Sequence, residues 1–171
     1  RDFVAGDSFA MLVPDQLFVG AVPALSQLQR PGLPGSSIVS SLIRLSAGQI
    51  RYFPGARRFV CEATPESADL VAIIGIEADD AESGDDADLS ARPRGFGRTI
   101  FPPEIFAFLG ENFADPRTGE VDLLKTFEAV MGKIPSYGVY LKGDTFDLGT
   151  VAGYHHFLPR LKALAAPPGG A

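Results

Sequence analysis

A single cysteine, Cys61, stands among 171 residues, which excludes an internal disulfide framework. It lies in the apolar stretch around Phe59 and Val60, where a small packed thiol is a better reading than a catalytic one. Long hydrophobic runs are also missing. None reaches the roughly 18 residues that a bilayer-spanning helix requires, and no signal-peptide pattern opens the chain. The first residue is Arg rather than Met, as expected of a processed or partial reading frame. Basic residues are too few for a nucleic-acid surface. Fifteen Lys and Arg face 21 Asp and Glu, a formal charge of −6, whereas attraction to a phosphate backbone needs clustered cations. Histidine is scarce, and His155 and His156 are adjacent. On a helix they point about 100° apart and do not easily share a metal. The expectation is a soluble, cytoplasmic protein with no nucleic-acid and no membrane partner.

Hydrophobic residues make up 46% of the chain, enough for the core of one domain over residues 1–164. Residues 165–171, rich in Ala, Pro and Gly, are expected to form a disordered tail. Ser8 to Val13 is a short apolar run closed by Pro14-Asp15, which reads as a buried parallel strand with a turn behind it. Val22 to Gln29 has a helical period and stops at the breakers Pro31 to Gly35. Ser36 to Leu45 and Leu70 to Ile76 read as strands, Ile50 to Phe53 and Arg58 to Cys61 as weaker ones. Ala78 to Ser90 gathers Asp79, Asp80, Glu82, Asp85, Asp86 and Asp88. It lacks the closing Glu of a calcium loop, so a solvated acidic loop is the better account. Arg94 to Phe101 reads as a strand, and Pro102-Pro103 opens a short helix over Glu104 to Leu109 with Phe106 and Leu109 inward. Val121 to Met131 is an amphipathic helix with Leu124, Phe127, Val130 and Met131 on one face.

The chemistry concentrates between Lys142 and Tyr154. Ser136 to Leu141 reads as a strand, and Val151 to Leu164 has a helical period, with a kink or break expected at Pro159. The turn between them presents Asp147 and then Gly149-Thr150 at a helix entrance. A carboxylate there can hold a hard cation, and a glycine lets a ligand approach the backbone. Helix capping by Asp147 or Thr150 explains the same residues. Asp15, at the carboxyl end of a strand, sits where ligand groups gather in open α/β sheets. A turn aspartate after a proline is the alternative.

Phe146-Asp147-Leu148-Gly149, followed by Gly153-Tyr154, resembles the closing motif of the sugar-1-phosphate nucleotidyltransferases, in particular the bacterial UTP–glucose-1-phosphate uridylyltransferases. Gly97-Arg98 through Pro102-Pro103-Glu104-Ile105-Phe106 is similar to a second block of that family, Thr118-Gly119-Glu120-Val121 to a third, and Leu12-Val13-Pro14-Asp15 to a fourth. The resemblance implies an α/β fold: a partial Rossmann-like nucleotidyltransferase domain with a mixed, mostly parallel sheet flanked by helices. It implies that Asp15 and Asp147 are catalytic and hold Mg2+ between the nucleotide and sugar phosphates. It also implies substrate contacts by Gly119, Glu120, Gly149 and Lys142, with Glu120 accepting hydrogen bonds from sugar hydroxyls. Favourable charge at a helix N-terminus is the competing role for Glu120. A nucleoside triphosphate and a sugar 1-phosphate are the expected partners, and a homo-oligomer is left open.

Three departures accompany the resemblance. The frequent second acidic residue after Asp15 is Gln16. The Glu-Lys-Pro block has only Ala91-Arg92-Pro93-Arg94 as a counterpart. Asp144 stands where relatives often carry lysine, leaving Lys142 as the nearby cation. Nor do the 171 residues contain a Gly-rich loop with a basic residue after a strand, which would cradle a triphosphate. Two functions therefore stand side by side. One is a portion of an enzyme joining UTP and a sugar 1-phosphate into a nucleotide sugar, UDP-glucose, and pyrophosphate, and inactive as this fragment alone. The other is a non-catalytic sugar- or nucleotide-binding or regulatory relative that lacks the triphosphate loop.

Overall fold

The densest apolar stretches of the chain become the centre of a six-stranded sheet. The computed structural model describes residues 3–65, 67–77, 92–109, 119 and 123–165. In chain order its elements are β1 (Phe9–Leu12), β2 (Gln16–Val19), α1 (Ala24–Leu28), β3 (Ile38–Ile43), α2 (Ala47–Ile50), β4 (Phe59–Ala63), β5 (Leu70–Ile76), β6 (Arg94–Phe101), a 3₁₀ turn (Pro103–Ala107), α3 (Leu123–Val130), β7 (Ser136–Tyr140), β8 (Asp144–Asp147) and α4 (Val151–Ala165). The sheet order is β1-β6-β3-β7-β5-β4, and β2 and β8 form a separate two-stranded ribbon. β3 is buried along its whole length, as a strand covered on both faces must be. Ile38, Leu42, Phe101, Phe127 and Val130 share its core. Each such side chain contributes about 1.5–3 kcal/mol through burial.

The α/β architecture with flanking helices is as expected, but the preponderance of parallel pairs is not. Among the described strands of this sheet only β3 and β7 run parallel; β1–β6, β3–β6, β5–β7 and β4–β5 are antiparallel. An apolar run shows that a strand is buried, not which way its neighbour runs. β1 itself is not a buried parallel strand. It is an edge strand, antiparallel to β6, with Leu12 half exposed.

Other local differences have identifiable causes. Ile50 to Phe53 is not a strand, because Ser46 and Gln49 form a reciprocal capping box that starts α2 instead. α4 runs through Pro159 without a break. The hydrogen bond lost there would have gone to the carbonyl of residue 155, which lies at an exposed position where water can replace it. After Pro102 the chain makes a 3₁₀ turn, whose three-residue period buries Ile105, with Phe106 stacked on Phe9 rather than fully enclosed. In α3, Phe127 and Val130 are buried and Met131 packs against the core, as the helical period predicts. The side chain of Leu124, the acidic segment 78–90 and the tail beyond 165 lie outside the described residues. Glu77 and Arg92, which flank residues 78–91, form an ion pair at 2.6 Å.

Candidate functional site

Residues 142–150 are not the simple turn that the sequence suggests. Asp144–Asp147 is β8, antiparallel to β2, with Gln16 opposite Asp147 and Val19 opposite Asp144. This ribbon brings the two aspartates together. Asp15 follows β1 and immediately precedes β2, and its carbonyl accepts a 2.7 Å hydrogen bond from the Leu148 amide, just beyond the end of β8. The route differs from the expected one, in which Asp15 follows a strand of an open sheet and Asp147 lies in the turn after the strand Ser136 to Leu141. Tertiary pairing of two short strands, rather than the main sheet, spans the 131-residue gap between Gln16 and Asp147.

At the junction, Gly149 leaves space for both carboxylates. A Cβ placed on it would lie 2.6 Å from Asp15 Oδ2 and 3.2 Å from Asp147 Oδ1. The two oxygens are therefore no farther apart than the sum of those distances. Asp147 is buried and Asp15 exposed, so the pair has one fixed and one solvent-facing member. Asp147 Oδ1 accepts the Gly149 amide at 2.9 Å, and Asp147 Oδ2 faces the Gln16 amide nitrogen at 3.3 Å. Among the described residues neither carboxylate forms an ion pair with a cationic side chain. Capping of α4 falls to Thr150, whose Oγ1 accepts the Gly153 amide at 3.0 Å. The capping role considered for Asp147 or Thr150 is thus divided: Thr150 serves the helix, and Asp147 binds the turn before it. Two carboxylates with open valences, and with no ion pair to either among the described residues, suit a hard cation such as Mg2+, which commonly takes one or two protein carboxylates. No cluster of three or more His, Cys, Asp or Glu suited to a metal occurs among the described residues.

Arg98 and Gln16 are the neighbours to which the sequence reading gave no role. Arg98 lies on β6 opposite Leu12 and is buried, with its Nη1 3.4 Å from the Val13 carbonyl oxygen. Burial lowers its guanidinium pKa, and the charge of Asp15 opposes that shift. Gln16 accepts the Gly97 amide at 2.5 Å through Oε1. A cavity of about 270 Å3 opens beside this group, lined by Met11, Val13, Gln16, Phe96, Gly97 and Phe127 among others. Its walls are mostly apolar, with Ser40, Ser41, Arg57 and Thr99 as further polar lining residues.

The remaining candidates are not all in this place. Lys142 points its amine at Asp69, 2.9 Å away, beside Arg30, which reaches the same carboxylate oxygen at 2.9 Å. Hydrogen bonds from Ser67, Lys142 and Arg30, in that order, hold the Asp69 carboxyl well below the usual carboxylate range. This group borders a second cavity of about 310 Å3 with Gln27 and Gln29. Gly119 has φ +73°, a left-handed conformation that favours glycine, with open space around it. Glu120 lies outside the described residues. Asp144 pairs with Arg160 at 3.1 Å, so the charge that departs from the expected lysine is used to attach β8 to α4. Arg92 pairs with Glu77, and Arg94 is buried with its Nη1 on the Ala56 carbonyl at 3.0 Å. His156 stacks on Tyr52 at 4.2 Å, an ordinary packing role.

No protein-family model matches the chain. A protein of Bacillus subtilis (strain 168) bearing the name "Putative UTP--glucose-1-phosphate uridylyltransferase" is 28% identical over 155 residues, covering 90% of this chain and 53% of that protein. Among solved structures, a UTP-bound UGPase from Acinetobacter baumannii aligns with a TM-score of 0.72 at 20% identity, over 98% of this chain and 54% of the other. A UDP-glucose pyrophosphorylase complexed with UDP-glucose aligns with a TM-score of 0.66 at 14% identity, over 95% and 59%. The chain thus spans about half the length of the relatives it matches. At these identities the structural likeness establishes the fold, and the sequence likeness runs in the same direction.

Proposed function

We propose that this chain is the metal- and sugar-binding portion of a sugar-1-phosphate nucleotidyltransferase that forms UDP-glucose and pyrophosphate from UTP and glucose 1-phosphate. The observation that carries the reading is the convergence of Asp15 and Asp147 at Gly149. Sequence likeness to a uridylyltransferase and the shared fold support it. In this reading Asp15 and Asp147 hold Mg2+, whose positive charge offsets that on the reacting phosphates. Asp147 is the fixed ligand, because the Gly149 amide restrains one of its oxygens. Asp15, being exposed, can adjust to the arriving phosphates. Arg98 adds a buried positive charge behind Asp15 and limits the net negative charge that a phosphate meets. Gly119, Gly149, Lys142 and Glu120 are proposed substrate contacts. Lys142 would exchange Asp69 for a phosphate oxygen, and the backbone at Gly149 is open to close approach. No protein nucleophile is required, since the sugar phosphate oxygen attacks the α-phosphorus directly. The expected setting is the cytoplasm; among the described residues no helix is long and apolar enough to cross a membrane.

A second reading, a sugar- or nucleotide-binding protein without turnover, is favoured by one observation: Asp144, where the resemblance expects a lysine, pairs with Arg160, and the nearby cation Lys142 is engaged by Asp69. Calorimetric titration of the chain with UDP-glucose and Mg2+, followed by a pyrophosphorolysis assay, separates the two. Binding without turnover is expected of these residues alone in both readings. Turnover that appears when the uridylyltransferase relative's leading half is added as a second polypeptide supports the enzyme; continued absence of turnover supports the binding protein. In an active assembly, Asp15→Asn and Asp147→Asn should each lower turnover on the order of 100-fold or more, as loss of several kcal/mol of metal stabilisation requires. Melting temperature should move little in Asp15→Asn, whose side chain is exposed, and fall modestly in Asp147→Asn, whose amide nitrogen would face the Gln16 amide nitrogen while its oxygen still accepts the Gly149 N–H. Unchanged turnover in either variant would sink the metal assignment.

A further inference from the structure

Gln16 belongs to neither the metal pair nor any ion pair, yet its side chain joins three strands. Its backbone lies in β2, opposite Asp147 in β8. Its Oε1 accepts the Gly97 amide of β6 at 2.5 Å, and its Nε2 faces Asp147 Oδ2 at 3.3 Å. We infer that Gln16 is a positioning residue that holds the Asp147 carboxylate toward Asp15 through this two-ended amide contact. The inference rests on the cation-binding reading of the aspartate pair for its functional consequence, but not for the contact itself.

The chemistry selects glutamine over its neighbours in size. The Gly97 N–H needs an acceptor, and the Asp147 carboxylate needs a donor. An amide supplies one of each in a fixed plane, so contact with Gly97 through oxygen turns the NH₂ toward Asp147. Glutamate would satisfy Gly97 and set a like charge against Asp147. Leucine would satisfy neither group and would leave a buried carboxylate oxygen without its donor. With the Gln16 amide facing Oδ2 and the Gly149 amide on Oδ1, the Asp147 carboxylate is held from both sides. It retains lone pairs for a cation, since each carboxylate oxygen accepts more than one partner. Asp15 has no such restraint on its side chain among the described contacts and is exposed. One ligand is therefore pre-set and the other adaptable, which lowers the ordering cost when a cation arrives.

Amide hydrogen exchange at Gly97 and Gly149, measured by NMR on the full chain, tests the contact without metal, and Mn2+ titration followed by EPR tests its consequence. In Gln16→Leu, Gly97 loses its own acceptor. If Gln16 positions Asp147, Gly149 also exchanges faster, on the order of tenfold for one charge-assisted bond, and Mn2+ affinity falls by a similar factor. In Gln16→Glu, Gly97 remains protected while Gly149 loosens, so this variant separates the donor from the acceptor even if the leucine variant folds poorly. Gly149 exchange unchanged in both variants would overturn the inference and leave Gln16 as a strand tie. Absence of Mn2+ binding in the unaltered chain would instead remove the metal reading, with the exchange result still deciding whether Gln16 orients Asp147.

Discussion

Gly153 occupies the third position of α4, where alanine would ordinarily be the better helix former by about 1 kcal/mol. Here the substitution should do the opposite. A Cβ on Gly153 would lie 1.8 Å from the backbone carbonyl oxygen of Asp147 and 3.1 Å from Thr150 Oγ1. The first contact is with main chain, so no rotamer change relieves it. Either α4 or the end of β8 must move by about 1 Å to reach even a tight contact, and both elements are tied down. The Gly153 amide is bonded to Thr150, and Phe157 packs edge-on against Phe146 at 5.0 Å. Overpacking of this kind costs about 1–3 kcal/mol. With a backbone clash the upper part of that range applies, offset by the helix propensity gained. A net loss of about 2 kcal/mol should lower the melting temperature by about 4–8 °C for a chain of this size. Circular dichroism melts of the unaltered chain and Gly153→Ala decide the matter, with urea titration giving the free energy. An unchanged or raised melting temperature would show that α4 does not press on the Asp147 carbonyl as described, and would refute the packing argument.

Gly149→Ala should behave differently, because its nearest neighbour is the movable end of the Asp15 side chain at 2.6 Å. Stability should fall by less than about 1 kcal/mol, while Mn2+ affinity drops; equal loss of both would mean that Gly149 serves only the fold. Asp69→Asn should destabilise the protein at neutral pH by about 1.5–3 kcal/mol, the range for hydrogen bonds to charged groups. Because the folded-state pKa of Asp69 is depressed, principally by Ser67 and then Lys142 and Arg30, its contribution is complete above the unfolded value near about 4 and is lost as pH falls through the lower folded value. Urea titrations from pH 7 to 2 should show the two proteins converging only at the acid end; parallel curves would contradict this. Cys61 has its thiol pushed up to about 11 by burial. Iodoacetamide at pH 8 should accordingly modify it far more slowly in the native chain than in urea, and equal rates would show that the thiol is open.

The elements with strong period or dense apolar content were legible in the sequence. Arg94 to Phe101 and Leu70 to Ile76 are strands with the expected bounds, and the faces of α3 and of β3 follow directly from where Phe127, Val130 and Ile38 to Ile43 stand. Burial leaves a pattern in the order of residue types, because side chains on one face repeat at the period of the backbone. Direction of pairing leaves none, and so the expected preponderance of parallel strands does not hold. Ile50 to Phe53 shows the limit from the other side. Its apolar residues fit a strand, but the Ser46–Gln49 capping box, itself present in the sequence, started a helix that the apolar pattern concealed.

Within the candidate site, sequence blocks alone picked out Asp15, Asp147 and Gly149, and no distance between them could be read from the chain. β8 was hidden because Asp144 to Asp147 carries two charged residues in four and becomes a strand only when β2 supplies its hydrogen bonds. A two-stranded ribbon has little stability of its own, so its formation is decided by packing against α4 through Phe146 and Phe157. The same dependence explains Gln16, which in sequence is a missing carboxylate and in the fold contacts both Gly97 and Asp147. Residue type, spacing and period determined which segments are buried and which side chains carry charge. The tertiary structure alone decided which distant segments meet, because strand pairing and side-chain hydrogen bonds depend on distances that exist only after the core has closed.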